Sequence, residues 1–271
     1  MADNSWKRFF NRAIPNWVVY ASLAAGAAAG IAAGAAGNEI TTLKEMIADL
    51  TSDDDALRAR LDKIERAKES LRGFGLDYYG LANLDLMKDK DRARRVIFYG
   101  DSITEFWQLP QFFRNLPYRF VNRGIKAQET EHLLARSYFD VLMLKPWAVV
   151  LTAGTNDALK GVSAERIEGN LDILIYTAHR RGAIVFVGTL PSVRIDDPRK
   201  RRIEASVDSV NSWIRRRCGD KSCTVLDFNA ALKRADKASK DGAFKDGVHP
   251  NDDGYAAMAK LVRDALKGAG G

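Results

Sequence analysis

Four short segments of this chain carry side chains that can do chemistry. They are Gly100-Asp101-Ser102-Ile103-Thr104, Asn122-Arg123-Gly124-Ile125, Gly154-Thr155-Asn156-Asp157 and Asp246-Gly247-Val248-His249-Pro250. Together they hold a hydroxyl, a glycine amide, a side-chain amide, a carboxylate and an imidazole. That is the complement needed for acyl transfer through a covalent serine intermediate. A serine hydroxyl is a weak nucleophile near neutral pH unless a base takes its proton. His249 can take it from Ser102 and later return it to a departing alcohol. Asp246, on the same turn, can orient the imidazole and stabilise its charged form. The tetrahedral intermediate carries an oxyanion. Its expected donors are the backbone N–H groups of Ser102 and Gly124 and the side-chain amide of Asn156. Gly124 suits that task because it has no side chain to block a close approach. Asp101 and Asp157 flank these residues and read as loop organisers. His132 and His179 fall in predicted helices among polar residues and read as surface or packing residues.

Each segment taken singly is ordinary turn chemistry, so the elements around them carry the argument. Near-continuous apolar runs predict strands over residues 95–99, 118–122, 148–153, 183–189 and 224–228, buried on both faces. Helical periodicity predicts helices over 128–138, 164–181, 200–217 and 252–266. Strands alternating with helices imply a parallel sheet with helices on both faces. In such sheets the sites lie at the carboxyl ends of the strands. Three of the segments follow directly on a strand and the fourth precedes the last helix, so one rim of the sheet is expected to gather all four.

These blocks, in this order, resemble the SGNH hydrolases, also called GDSL esterases and lipases. The Ser, Gly, Asn and His for which that family is named match Ser102, Gly124, Asn156 and His249. The resemblance spans about residues 78–266. It implies a flavodoxin-like three-layer α/β/α sandwich and hydrolysis of carboxylic esters without metal or organic cofactor. Short-chain acyl or O-acetyl esters, including those of cell-surface glycans, and lysophospholipids are the substrates to expect. The loop 192–199 is the expected specificity element. Two alternatives stay open: an acyltransferase that uses the same serine on a cell-surface glycan, and a membrane-tethered oligomeric scaffold with a vestigial hydrolase fold.

The chain divides into residues 1–38, 39–75 and 76–271. Residues 17–36 carry no charge and follow Lys7, Arg8 and Arg12. About 20 such residues suffice to span a bilayer core, and the preceding charges would hold the N-terminus in the cytoplasm. The run reads as a membrane anchor or as a cleaved secretory signal ending near Ala33-Gly34-Ala35. Gly26, Gly30 and Gly34 line one face and favour an anchor that pairs with a second copy. Residues 39–75 read as a helical stalk. Leu43, Leu50, Leu57, Ile64 and Leu71 recur at heptad spacing with poor partner positions, so any coiled coil is weak. Either reading places the catalytic part outside the cytoplasm: on the inner membrane facing the periplasm, or periplasmic or secreted once the signal is cleaved. Composition is that of a folded protein, 46% hydrophobic and 28% charged. The net charge of +7 is scattered in small groups without interleaved aromatics, which points away from nucleic acid. Cys218 and Cys223 are either a disulfide or two reduced thiols.

Overall fold

The structure, a computed structural model, describes residues 74–89 and 93–270. The expected anchor or signal at 17–36, its glycine face and the heptad positions lie outside the described residues. Among the described residues no helix is long and apolar enough to cross a membrane.

Five parallel strands form one sheet: β1 (Arg95–Gly100), β2 (Arg119–Gly124), β3 (Ala148–Thr152), β4 (Ile184–Gly188) and β5 (Thr224–Leu226). Their order is β2-β1-β3-β4-β5, the flavodoxin-like arrangement. Alternate residues of each strand point to opposite faces. Ile97, Tyr99, Val149, Leu151, Val185 and Val187 therefore enter one core layer. Val96, Phe98, Ala148, Val150 and Phe186 enter the other. This is why the strands read as unbroken apolar runs.

The first layer is covered by α1 (Gly80–Lys88), α4 (Thr130–Asp140), α5 (Thr155–Lys160), α6 (Ala164–Arg180) and α7 (Lys200–Arg217). The second is covered by α2 (Ser102–Glu105), α3 (Leu109–Phe113), α8 (Phe228–Ala238) and α9 (Asp252–Ala269). Helical spacing of the buried residues sets which face packs. In α6 these are Ile167, Leu171, Leu174, Ile175 and Ala178; in α9 they are Tyr255, Met258, Ala259, Val262 and Leu266. Both follow the three-and-four repeat of an apolar stripe.

The four helices expected from periodicity are present, with ends shifted by up to a few residues. Sequence reading extends the last strand to Phe228, but β5 stops at Leu226. Asp227 instead caps α8, its side chain accepting from the Ala230 N–H at 3.1 Å. The cap gives the chain a local route out of extended structure, and Phe228 becomes a buried helix residue. Parallel register places Gly100 beside both Gly124 and Thr152. The carboxyl ends of β1, β2 and β3 are thus level. The described chain begins at this same rim, where the Phe74 ring lies 5.3 Å from that of His132.

Candidate active site

Ser102 stands at the first position of α2, just past the end of β1. Asp101 makes that sharp strand-to-helix turn, its Oδ1 accepting from the Ile103 N–H at 3.0 Å. The Ser102 N–H has no acceptor within its own helix, as first-turn amides never do. Ser102 Oγ lies 2.9 Å from His249 Nε2. On the far side of the ring, His249 Nδ1 lies 2.8 Å from Asp246 Oδ2. An Nδ1–H donated to that carboxylate leaves Nε2 free to accept the serine proton.

Asp246 is locked by its own turn. Its Oδ1 accepts from the backbone N–H groups of Val248 and His249, each at 2.7 Å. Partial burial pushes its pKa up, but the hydrogen bonds from the His249 backbone, the His249 ring and Val248 outweigh it and hold the carboxyl below its ordinary value. The carboxylate is therefore an anion wherever an esterase works. The turn is itself pinned: the Arg194 N–H donates to Gly247 O at 2.7 Å, and the Lys245 N–H to His249 O at 2.8 Å. A Cβ on Gly247 would come within 2.5 Å of Arg194 O, so a glycine is needed for that approach.

Asn156 follows β3 through Gly154, whose φ of 122° is open only to glycine. Its Nδ2 donates to Gln128 O at 2.9 Å, which brings the β3 loop against the β2 loop. Asp157 accepts from the Thr130 N–H and from Thr130 Oγ1 and so joins the same two loops. Asp101 and Asp157 are thus loop organisers, as expected.

Gly124 lies on the expected rim, with its N–H donating to Asn122 Oδ1 at 2.8 Å. What requires a glycine there is packing: a Cβ would sit 2.1 Å from the Glu105 backbone N. In the same loop Ala127 adopts a left-handed backbone, φ 61°, next to Gln128. The Ala127 N–H has no acceptor among the described residues. A non-glycine in that conformation is uncommon and invites a functional reading. Nothing in the sequence separates Ala127 from its neighbours, because backbone handedness at an alanine leaves no compositional mark.

The family model for the GDSL-like lipase/acylhydrolase family matches residues 98–257, well over half the chain. The chain belongs to this acylhydrolase family. Solved structures agree. A GDSL-like lipase from Bacteroides thetaiotaomicron VPI-5482 is 27% identical, covers 72% of this chain and 98% of its own, and superposes with a TM-score of 0.61. A candidate acylhydrolase from Bacteroides fragilis NCTC 9343 is also 27% identical, with coverage of 72% and 97% and a TM-score of 0.63. An acetyl xylan esterase, 24% identical over 64% of this chain and 99% of its own with a TM-score of 0.53, shares the fold. No curated protein matches the chain. Ester hydrolysis is thus the general chemistry of this acylhydrolase, and Ser102, Gly124, Asn156, Asp246 and His249 all fall inside the matched region.

One residue of this acylhydrolase escaped sequence reading altogether. Arg136, on α4, is fully buried. Its Nη2 donates to Gly100 O at 2.9 Å and its Nη1 to Arg123 O at 2.9 Å. Its Nε donates to Gln128 Oε1 at 2.6 Å, and Nη1 also meets Asp140 Oδ2 at 2.8 Å. One guanidinium thus ties the end of β1, the end of β2 and the loop that touches Asn156. The available signal was an Arg and an Asp four apart on the face that carries Leu133. Such a pair reads as a solvated ion pair unless its face is known to be buried.

Beside His249 opens a cleft of about 630 Å³. Phe106 lines it, half exposed, with its ring 5.3 Å from the His249 ring. Gln108, Asp241, Lys245 and Asp252 supply polar groups along it.

Proposed function

We propose that this protein hydrolyses short-chain carboxylic esters by a covalent acyl-enzyme on Ser102. The observation that carries the proposal is the hydrogen-bonded series from Ser102 Oγ to His249 Nε2 at 2.9 Å and from His249 Nδ1 to Asp246 Oδ2 at 2.8 Å. His249 takes the serine proton as Oγ attacks the carbonyl, then gives it to the departing alcohol. It repeats the cycle with water to release the acid. The Ser102 N–H and Asn156 Nδ2 face the developing oxyanion, with the Ala127 N–H as third donor in place of that of Gly124. Ser102→Ala should abolish labelling by a fluorophosphonate probe. It should also lower kcat/KM on p-nitrophenyl acetate at least about a thousandfold. Wild-type protein that neither labels nor cleaves would overturn the reading.

The alcohol part of the substrate lies on the His249 side, because His249 must reach the leaving oxygen. The cleft there holds three carboxylates, Asp241, Asp252 and Asp253, against one Lys245, together with the exposed face of Phe106. Carboxylates and an amide accept hydroxyl hydrogen bonds, and an aromatic face covers the C–H face of a sugar. The same carboxylates repel an anionic headgroup. A glycan O-acetyl ester fits better than a lysophospholipid. Acetylated xylo-oligosaccharides should show a higher kcat/KM than an anionic lysophospholipid, and the reverse ranking rejects the assignment.

The proposed site of action is outside the cytoplasm, with residues 17–36 as tether and the faces of Gly26, Gly30 and Gly34 pairing two copies. The uncharged run behind Lys7, Arg8 and Arg12 supports it. So does the Cys218–Cys223 disulfide, a bond that persists in oxidising compartments. Full-length chain should appear in the membrane fraction; a mature N-terminus near Ala36 rejects the tether.

A further inference from the structure

The segment 74–79 lies outside the region matched by the family model. It carries none of the residues expected to do chemistry, yet it touches the loop 124–129 at two points and reaches it through Glu105 at a third. Tyr79 donates its phenol hydrogen to Gly124 O at 2.5 Å. Phe74 O accepts from Gln128 Nε2 at 3.0 Å. Tyr78 donates to Glu105 Oε1 at 2.8 Å, and the other oxygen of that carboxylate accepts from the Lys126 N–H at 2.6 Å. These contacts fall on residues 124, 126 and 128, on both sides of Ala127. Gly75 makes the approach possible: at its φ of 70°, a Cβ would lie 2.6 Å from Gln128 Nε2 and 2.8 Å from Ile125 Cδ1.

We propose that Tyr79 is a positioning residue of the esterase, acting with Phe74 through Gln128 to hold the loop 124–129 in the conformation that presents donors to the oxyanion. The proposal rests on the serine-esterase reading above. Neither residue touches substrate. The Tyr79 ring is itself held, with the Arg123 guanidinium 4.5 Å from its centroid and the Arg123 Nε bonded to Asn83 Oδ1 at 2.8 Å. Burial pushes the Tyr79 phenol up to about 12, so it remains a donor throughout the working pH range. Gln128 relays the other contact. Its side chain bonds Phe74 O and Arg136, while its carbonyl accepts from Asn156 Nδ2. A displacement of the loop by a fraction of an ångström would leave ester binding intact and weaken the transition state, because the oxyanion exists only there.

The experiment uses the full chain. Tyr79→Phe removes one hydroxyl and keeps the ring. Gln128→Glu keeps the acceptor for Arg136 and removes the donor to Phe74. Each variant should lower kcat on p-nitrophenyl acetate about tenfold, with KM changed less than about twofold. Each should slow phosphonylation by a fluorophosphonate to a similar degree. Met87→Ala, on the exposed face of α1, should match wild type. Unchanged kcat in both variants overturns the proposal. So does a loss of kcat that only tracks the folded fraction measured by circular dichroism, or a loss seen in KM alone. If Tyr79→Phe does not fold, Gln128→Glu decides by the same criteria. A wild-type chain that the probe does not label rejects the esterase reading instead. A labelled wild type with equally fast variants rejects only the positioning role.

Discussion

Asp101 separates β1 from the proposed nucleophile and is fully buried, with its Oδ1 on the Ile103 N–H. Desolvation raises its carboxyl from 3.8 to about 7, against the hydrogen bond from Ile103 and the attraction of His249. The folded state therefore holds a proton that the unfolded chain releases near pH 4. The associated stability is fully present below that point and is lost as pH rises through about 7. Asp101→Asn keeps the acceptor for Ile103 and cannot ionise. Urea unfolding of the wild type should lose a few kcal/mol between about pH 4 and 7 relative to this variant. Parallel curves for the two proteins would show that Asp101 ionises freely in the folded state. Gly124 carries two readings, a bare amide for a ligand and room for a neighbour, and here the neighbour is the Glu105 backbone.

Helix α4 is where an element serves chemistry that it does not itself carry. Its N-terminus is closed by a reciprocal cap between Glu129 and His132. Asp157 holds Thr130, the first residue of the helix, beside the loop that carries Asn156. One turn and a half further on, Arg136 reaches under the rim to Gly100 O, Arg123 O and Gln128. Arg136→Met removes these bonds and leaves the buried Asp140 with Asn83 as its hydrogen-bond partner among the described residues and Arg123 as the nearby charge. Breaking a buried pair on one side costs about 3–5 kcal/mol, more than removing both partners. Chemical denaturation should show that loss for Arg136→Met and partial recovery for Arg136→Met/Asp140→Asn. In the double variant kcat should stay low, since the carbonyls at the rim remain unheld. A double variant with wild-type kcat would make Arg136 a stability residue only.

The candidate site gathers at one end of the sheet, and a disulfide braces the other. The Cys218–Cys223 disulfide joins the end of α7 to the start of β5, at the amino ends of the strands. Its sequence separation is only 5, so closing the loop removes little entropy from the unfolded chain. A loop of that size contributes about 2 kcal/mol. Cys218→Ser/Cys223→Ser should lower the unfolding free energy by about that amount and leave kcat unchanged. A larger drop in kcat than in folded fraction would mean that the two ends of the sheet are coupled. Two arginines nearby are paired locally: Arg215 with Asp227, and Arg217 with Asp172 and Asp220.

The sheet, its parallel sense and the end at which chemistry gathers are legible in the amino-acid sequence. Those follow from side-chain period and from segments that each succeed a strand, both local properties of the chain. Also legible are Ser102, Asp246, His249 and Asn156 as the residues to watch, because each is the chemically distinctive side chain of its turn. Which backbone amides are free is not legible there and emerges with the folded loops. The Gly124 N–H is spent on Asn122 and the Ala127 N–H is not, a difference set by loop conformation. Folding alone buries Arg136 and brings residues 74–79 against the loop 124–129. Those contacts join Arg136 to Gly100, 36 residues away, and Tyr79 to Gly124, 45 residues away. At that distance along the chain no periodicity or spacing carries information, and packing alone brings the groups together.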